Sequence, residues 1–204
     1  MRQSILFFLL MASSAVFAQN VSDLFKSMPG GLLPGVTEGN KTMLLVDSGK
    51  TAVPSPLGEI EKTAQSDDYL QIKTSNIGTL QLKLLPVAKD SLVVCLIRTV
   101  CGGVCDSNIS FYTTDWTKLD NEAFLPDISA EIFFNSSPKK QENDKYTVSL
   151  PDIYPISATF NETGTDLTLL FHYKERLTED QIQELKPLLK SDSVVLTWKN
   201  ASYR

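Results

Sequence analysis

Two neighbouring segments of the chain, residues 69–73 and 80–84, alternate apolar and polar positions. Successive side chains of a β-strand point to opposite faces of its sheet, so a period of two predicts half-buried antiparallel strands. Residues 75–78 would connect them. Pro86 lacks a backbone N–H and is expected to end the second strand.

The segment 92–100 is an almost unbroken apolar run and differs from the alternating strands before it. A strand with apolar residues on both faces needs cover on both faces, so we expect this one to lie centrally in its sheet. Residues 109–113 are expected to return beside it, after a turn at Gly102-Gly103. The two strands would form a hairpin.

The chain before residue 69 predicts short helices. Residues 21–28 are predicted to form a helix with Ser22 as its N-cap, and residues 40–46 are predicted to form a second helix. The stretch 51–56 contains two prolines and is expected to be a loop. Residues 57–65 are expected to form one or two further helical turns.

Beyond residue 113 the pattern predicts more strands and one helix. The helix opens at Thr178 in capping-box form with Gln181, and Pro187 should kink or shorten it. The polar segment 120–127 is a candidate internal boundary. The strands are expected at residues 129–134, 146–150, 156–160, 167–173 and 194–198, with an exposed loop at 135–144.

These elements together predict an α+β fold with a mostly antiparallel sheet, short N-terminal helices and one C-terminal helix before a last strand. The connections are too short for repeated strand–helix–strand crossovers. Alternatively, the chain could be an internal repeat, because a run of four strands is expected on either side of Asp120. No residues align between the two halves, however.

Residues 1–18 have the pattern of a secretory signal peptide. Arg2 supplies the positive end, a short apolar run follows, and Val16-Phe17-Ala18 presents small residues where signal peptidase cleaves. The expected mature protein is a single soluble, exported domain spanning residues 19–204. No later stretch is long and apolar enough to cross a membrane, so no integral membrane segment is expected after the signal is removed.

Charge argues against two classes of partner. The chain has a formal net charge of −5, and loss of Arg2 makes it −6. Its basic residues form no cluster beyond Lys139-Lys140. Nucleic acid and anionic membranes attract strongly basic surfaces, so neither is an expected partner.

The cysteines lie close together around the hairpin turn. Cys101 and Cys105 can bridge the turn as a disulfide if their Cα atoms lie within about 7 Å. An oxidising compartment would permit that bond. Cys95 lies inside the apolar strand and is expected to be a buried free thiol. The spacing C-x5-C-x3-C lacks a C-x-x-C pair, which disfavours a metal or redox site.

Catalytic residues are not expected. His172 is the only histidine, so a site with two histidine ligands is impossible within one chain, and no serine stands in a G-x-S-x-G motif. A hydrolase using two carboxylates about 5–10 Å apart stays open. Its candidate acids are Asp67, Asp68, Asp106, Asp115, Glu131 and Glu175. No metal or cofactor is expected.

The aromatic residues after the hairpin turn allow two interpretations. Phe111 and Trp116 are expected to fill the core while Tyr112 faces outward. Alternatively, aromatic side chains exposed on a sheet form a platform that binds sugars or protein partners.

Several short motifs, in order, resemble a Bacteroidales family of secreted proteins that carry a domain of unknown function. The resemblance covers nearly all of the mature chain and implies a Gram-negative exported protein, periplasmic or at the cell surface. It implies no activity and no catalytic residue. Lys41-Thr42 stands where members often have an Arg-Asp pair, which leaves the role of such a pair in doubt. The motifs lie at residues 25–29, 33–34, 83–86, 106–112 and 116.

The sequence therefore favours an exported, non-enzymatic binding or scaffolding protein of the periplasm or cell surface. Its partner would be a protein or a glycan. A carbohydrate- or small-ligand-binding module is the alternative, and a carboxylate-dependent hydrolase is a more distant one.

The cysteine assignment predicts one reactive thiol per chain. The loop between Cys101 and Cys105 is short, so its bond should stabilise the fold by less than the typical 2–4 kcal/mol. Thiol titration with mass measurement, under denaturing and non-reducing conditions, should label Cys95 alone in protein purified from an oxidising compartment. Labelling of three thiols would contradict the assignment.

Overall fold

The computed structural model describes residues 20–47, 49–56, 58–88, 91–135 and 155–204. These ranges contain three α-helices and eleven β-strands in antiparallel sheets, which confirms the α+β prediction. The helices are α1 Val21–Ser27, α2 Glu38–Leu44 and α3 Glu179–Leu185. Short 3-10 helices span Gly30–Leu32, Asn121–Ala123, Ala130–Phe133 and Lys186–Leu188.

The first six strands form one sheet in sequence order, each antiparallel to the next. A second described sheet has the order β7-β8-β9, and β10 pairs with β11. The strands are β1 Thr51–Ser55, β2 Gly58–Gln65, β3 Tyr69–Lys73, β4 Gly78–Ala88, β5 Ser91–Gly102, β6 Val104–Tyr112, β7 Ile156–Phe160, β8 Leu167–Phe171, β9 Ser193–Leu196, β10 Trp198–Lys199 and β11 Ser202–Tyr203.

Strand β5 is buried on both faces, as its apolar run predicts. Its odd-numbered residues Val93, Cys95 and Ile97 contribute to one apolar cluster, and its even-numbered residues Val94 and Leu96 to another. The first cluster lies between the six-stranded sheet and the β7–β9 sheet. The second packs the sheet against α1, α2 and the segment between them. The described chain is therefore layered as helices, six-stranded sheet and three-stranded sheet.

Polar side chains join the two sheets along β7, which pairs only with β8 among the described strands. An edge strand leaves every second backbone N–H without a strand partner. Here those groups donate to side-chain oxygens of the six-stranded sheet, at 2.9–3.3 Å. The pairs are Ile156 with Asp106, Ala158 with Ser107, and Phe160 with Gln81. This edge is thus hydrogen-bonded without a further strand.

Two predictions for the N-terminal third were wrong. The expected loop at 51–56 contains β1, Thr51–Ser55, and the helical turns expected at 57–65 are replaced by β2, Gly58–Gln65. Pro54 is accommodated because β1 is an edge strand, where an N–H is not needed on the free side. In β2, Ile60 and Lys62 face inward, and both are buried. The Lys62 ammonium donates to the Asp47 carbonyl and to Gln65 Oε1. Because lysine usually faces solvent, Lys62 at a core-facing position obscured the alternation of apolar and polar residues that would have predicted β2.

The two N-terminal helices are confirmed, but Asn20 caps α1 in place of Ser22. Asn20 Oδ1 accepts from the Asp23 N–H at 2.9 Å, whereas the Ser22 hydroxyl accepts from Gln65.

Strand β4 continues through Pro86 to Ala88, although Pro86 was expected to end it. Beyond Lys83 it no longer pairs with β3, so Pro86 removes no donor from that side.

Residues 129–134 form no strand, and Ala130–Phe133 is a 3-10 helix. The adjacent Phe133 and Phe134 both enter the same apolar cluster, which a strand with alternating faces would prevent. Tyr112, expected to face outward, is buried, because the helical layer covers that face of β6. The candidate boundary at residues 120–127 packs Phe124 against Phe111, with ring centroids 4.9 Å apart.

The C-terminal predictions are largely confirmed. Strands β7 and β8 and the Thr178–Gln181 capping box are present, and α3 gives way to a 3-10 helix at Pro187. The single strand predicted at 194–198 is divided between β9 and β10, and the small hairpin of β10 with β11 was not predicted. The strand predicted at 146–150, and the loop at 135–144 apart from Asn135, lie outside the described residues. No helix in the described part of the chain is long and apolar enough to span a membrane.

The two-sided burial of β5 predicts that Val94→Asp prevents folding. Val94 is only 1% exposed, and an unpaired buried carboxylate costs several kcal/mol against a total stability of about 5–15 kcal/mol. The matched control Val100→Asp lies on the same strand at a side chain 55% exposed. Yield of soluble chain and circular dichroism should separate the two variants. A folded Val94→Asp protein would show that this face is open.

Candidate functional site

A cleft of about 270 Å³ opens at one end of the six-stranded sheet, on its helix-covered side. It lies where β4 begins and β5 ends, beside the loop that follows α1 and the end of β1. Residues far apart in the chain form it. They are Leu32, Leu33, Pro34, Ser55, Ile60, Thr74, Ser75, Gly78, Thr79, Leu80, Arg98, Thr99 and Val100.

Arg98 is the charged residue of this lining. It lies on β5, opposite Leu80 of β4 and Asn108 of β6. One guanidinium nitrogen, Nη2, donates to the Leu32 carbonyl oxygen at 2.6 Å. A guanidinium carries five N–H donors in a planar fork. Within the described residues it has no other hydrogen bond and no carboxylate oxygen within 4.0 Å.

The remaining lining is apolar with a few hydroxyl groups. Leu33, Ile60 and Leu80 are buried in the second apolar cluster and present hydrocarbon to the cleft. The hydroxyl of Thr74 makes no hydrogen bond within the described part of the chain. An apolar cavity with a few converging polar groups is the usual form of a small-molecule site.

Gly78 fits the turn that leads into β4. Its carbonyl accepts from the Thr74 N–H at 2.9 Å. A Cβ atom at this position would lie 2.6 Å from Thr74 Oγ1 and 2.9 Å from Ser75 Oγ. The absence of a side chain therefore lets the two hydroxyl-bearing residues pack against β4 at the wall of the cleft.

The cysteine hairpin borders the cleft. Cys101 and Cys105 form a disulfide directly beyond Val100, and their Cα atoms are 4.0 Å apart. Gly103 completes the turn with a φ of 87°, in the left-handed region that favours glycine. Cys95 is a free thiol inside the core, and burial raises its pKa well above the usual range. That thiol is therefore unsuited to nucleophilic or redox chemistry.

His172 contacts a serine that sequence reasoning missed. Its Nε2 atom lies 2.8 Å from Ser157 Oγ, and its Nδ1 atom lies 3.7 Å from Glu175 Oε1. Hydrogen bonds that orient a catalytic histidine span about 2.6–3.2 Å, so the carboxylate lies beyond that range. Ser157 is found only through the β7–β8 pairing, because fifteen residues separate it from His172.

Several predicted carboxylate candidates have local structural partners. Asp68 forms an ion pair with buried Lys83 at 2.9 Å, and Asp106 accepts from the Ile156 N–H. Asp115 accepts from the Thr113 hydroxyl. In the described residues, no group of three or more histidine, cysteine, aspartate or glutamate side chains is placed to hold a metal ion.

A second cavity of about 330 Å³ lies between the end of β8 and α3. Asp192 accepts a hydrogen bond from the Tyr173 hydroxyl at 2.8 Å and forms an ion pair with Lys174. The Lys174 ammonium holds the pKa of the Asp192 carboxyl below its ordinary value. Desolvation, and then the bond to Asp192, raise the pKa of Tyr173. This cluster ties the residues after β8 to the start of β9.

The fold and the cleft define an α+β protein with a mainly antiparallel sheet and a small apolar cavity that contains one arginine. The chain belongs to the DUF3256 family, described as a protein of unknown function, whose family model matches residues 13–203. The predicted membership of a family with a domain of unknown function is therefore confirmed.

A solved structure has a similar fold. It is a domain of an uncharacterized protein from Porphyromonas gingivalis W83, with 23% sequence identity and a TM-score of 0.76. The alignment covers 92% of this chain and 98% of that one. At this identity the likeness extends to the fold alone. No curated protein matches the chain.

The Asp192 cluster predicts a stability contribution that depends on pH. The pKa of Asp192 is lower in the folded chain, so its contribution is present above the unfolded value of about 3.9 and is lost as pH falls through the folded value. Asp192→Asn should lower Tm by a few degrees near pH 7, and the difference should vanish in acid. Asp127→Asn, at an exposed position, is the control. An equal Tm difference at both pH values would contradict this assignment.

Proposed function

We propose that the chain is an exported, non-enzymatic binding protein of the periplasm or cell surface, and that the cleft beside Arg98 is its binding site. The observation that carries this proposal is the arginine in an apolar cavity with one protein hydrogen bond and no acidic partner among the described residues. Arg98 is half-buried, and its free N–H donors can bind a ligand that supplies the opposite charge.

Two features support export. Residues 1–18 have the composition of a signal peptide, and the Cys101–Cys105 disulfide suits an oxidising compartment.

The lining favours a small ligand over a sugar. Carbohydrate sites commonly use an aromatic face as a platform. No aromatic residue is among the described residues that line the cleft. Phe111, Tyr112 and Trp116, which suggested a platform, pack within the two apolar clusters.

A protein partner is the second candidate, and one observation favours it. Ile77 and Val100, beside the cleft, are 54% and 55% exposed. The Cys101 N–H donates to the Ile77 carbonyl at 2.8 Å, so the two side chains belong to neighbouring segments. Exposed apolar groups at the rim of a cleft suit a peptide segment that reaches into it.

A non-enzymatic role fits the His172 geometry. Ser157 and His172 are within hydrogen-bond distance, but Glu175 Oε1 lies 3.7 Å from His172 Nδ1, so no hydrogen bond from this carboxylate orients the imidazole. Its side chain is also 48% exposed. The Ser157–His172 contact links β7 to the residue that follows β8.

The proposal predicts that a negative charge at the rim abolishes ligand capture. Val100 and Arg98 lie two residues apart on one face of β5, so Val100→Glu places a carboxylate near the guanidinium. The folded mature chain, residues 19–204, would be immobilised and exposed to an envelope extract from a bacterium that encodes the family. Mass spectrometry would then identify retained small molecules and proteins.

We expect the unmodified chain to retain a ligand, Val100→Glu to lose at least nine-tenths of it, and Val195→Glu to keep it. Val195 is the matched control, since it is 54% exposed and lies on β9 of the other sheet. Equal retention by all three proteins, or retention of nothing by the unmodified chain, would refute the proposed site.

A further inference from the structure

We infer that the ligand of the cleft is a small monocarboxylate with an apolar body, bound through the Arg98 guanidinium. This inference rests on the proposed function and names the chemical class of its ligand. It follows from three properties of the lining, which are its charge, its size and its distribution of polar groups.

The single positive charge of the cleft lining favours a ligand with one anionic group. Arg98 is the charged residue among the described lining residues, and the Leu32 carbonyl that it contacts cannot neutralise it. Phosphate groups carry up to two negative charges and are commonly held by several cations or by backbone N–H groups. A carboxylate carries one charge, and its two oxygens match two parallel N–H groups of a guanidinium.

The volume of the cleft favours a short ligand. At about 30 Å³ per water molecule, a cavity of 270 Å³ has the volume of about nine waters. A ligand of on the order of ten non-hydrogen atoms would fill it, which is the size of a branched fatty acid or of one terminal residue of a peptide.

The distribution of polar groups assigns an orientation. Leu33, Ile60 and Leu80 form the apolar wall, and a hydrocarbon tail placed there leaves water without disturbing a protein hydrogen bond. The Thr74 hydroxyl lacks a protein partner in the described residues and can donate to a polar atom of the ligand. The carboxylate then lies at Arg98.

Two sources could supply this chemistry, namely a free carboxylic acid or the C-terminal carboxylate of a peptide. Four probes distinguish them: 4-methylpentanoate, its amide, N-acetyl-leucyl-leucine, and the amide of that peptide. Each acid and its amide share shape and hydrocarbon but differ in charge. Binding would be measured by titrating ¹⁵N-labelled mature chain and following backbone amide shifts at residues 74–80 and 98–100.

We expect at least one acid to bind saturably and at least tenfold more tightly than its amide. The acid that binds identifies the source. Arg98→Gln should weaken that acid at least tenfold, and Arg98→Lys should be intermediate because an ammonium lacks the planar fork. If Arg98→Gln fails to fold, Val100→Glu serves as the test, since it leaves the Arg98–Leu32 contact in place. Val195→Glu should bind as the unmodified chain does.

The inference is overturned if acid and amide bind alike, or if Arg98→Gln binds the acid unchanged. It is also overturned if neither acid binds. In these cases the proposed site is still supported if the unmodified chain retains a ligand from the envelope extract and Val100→Glu loses it. The site itself is refuted only if the extract experiment gives its contrary result. The two experiments therefore separate an error in ligand class from an error in the site.

Discussion

Burial of β5 on both faces determines how the layers of this protein are arranged. Alternate residues of β5 enter two different apolar clusters, so the six-stranded sheet must be covered on each side. The N-terminal helices supply one cover and the β7–β9 sheet the other. The second cover is held by polar contacts as well, because Gln81, Ser107 and Asp106 accept the N–H groups along the edge of β7. Apolar burial thus supplies the driving force, and these bonds favour one register.

The candidate site arises at one end of that layered arrangement. Toward the end of β5 its helix-facing residues change from Val94 and Leu96 in the core to half-buried Arg98 and exposed Val100. The loop after α1 reaches this end through the Leu32 carbonyl, and a cavity remains between the loop and the sheet. The disulfide beyond Val100 joins β5 to β6 at the same end. The disulfide therefore cross-links the two strands next to one wall of the cleft.

Patterns that depend on neighbours in the chain predicted much of the fold. The apolar run identified β5, and the Thr178–Gln181 pair identified the start of α3. Strand β2 was missed because Lys62 lies at a core-facing position, where carbonyl and amide oxygens satisfy its ammonium. Arg98 was also missed. A single charge near the end of a strand has the pattern of a solvent-facing residue, and the cleft around it is built from segments that only folding brings together.

We propose Arg98 as the anchor of the ligand site. This proposal is best tested by a crystal structure of residues 19–204 grown with whichever monocarboxylate binds in solution. We predict the carboxylate within about 3 Å of the guanidinium nitrogens, as charge-assisted hydrogen bonds require, with the hydrocarbon against Leu33, Ile60 and Leu80. A ligand bound elsewhere while this cleft holds only water would contradict the account.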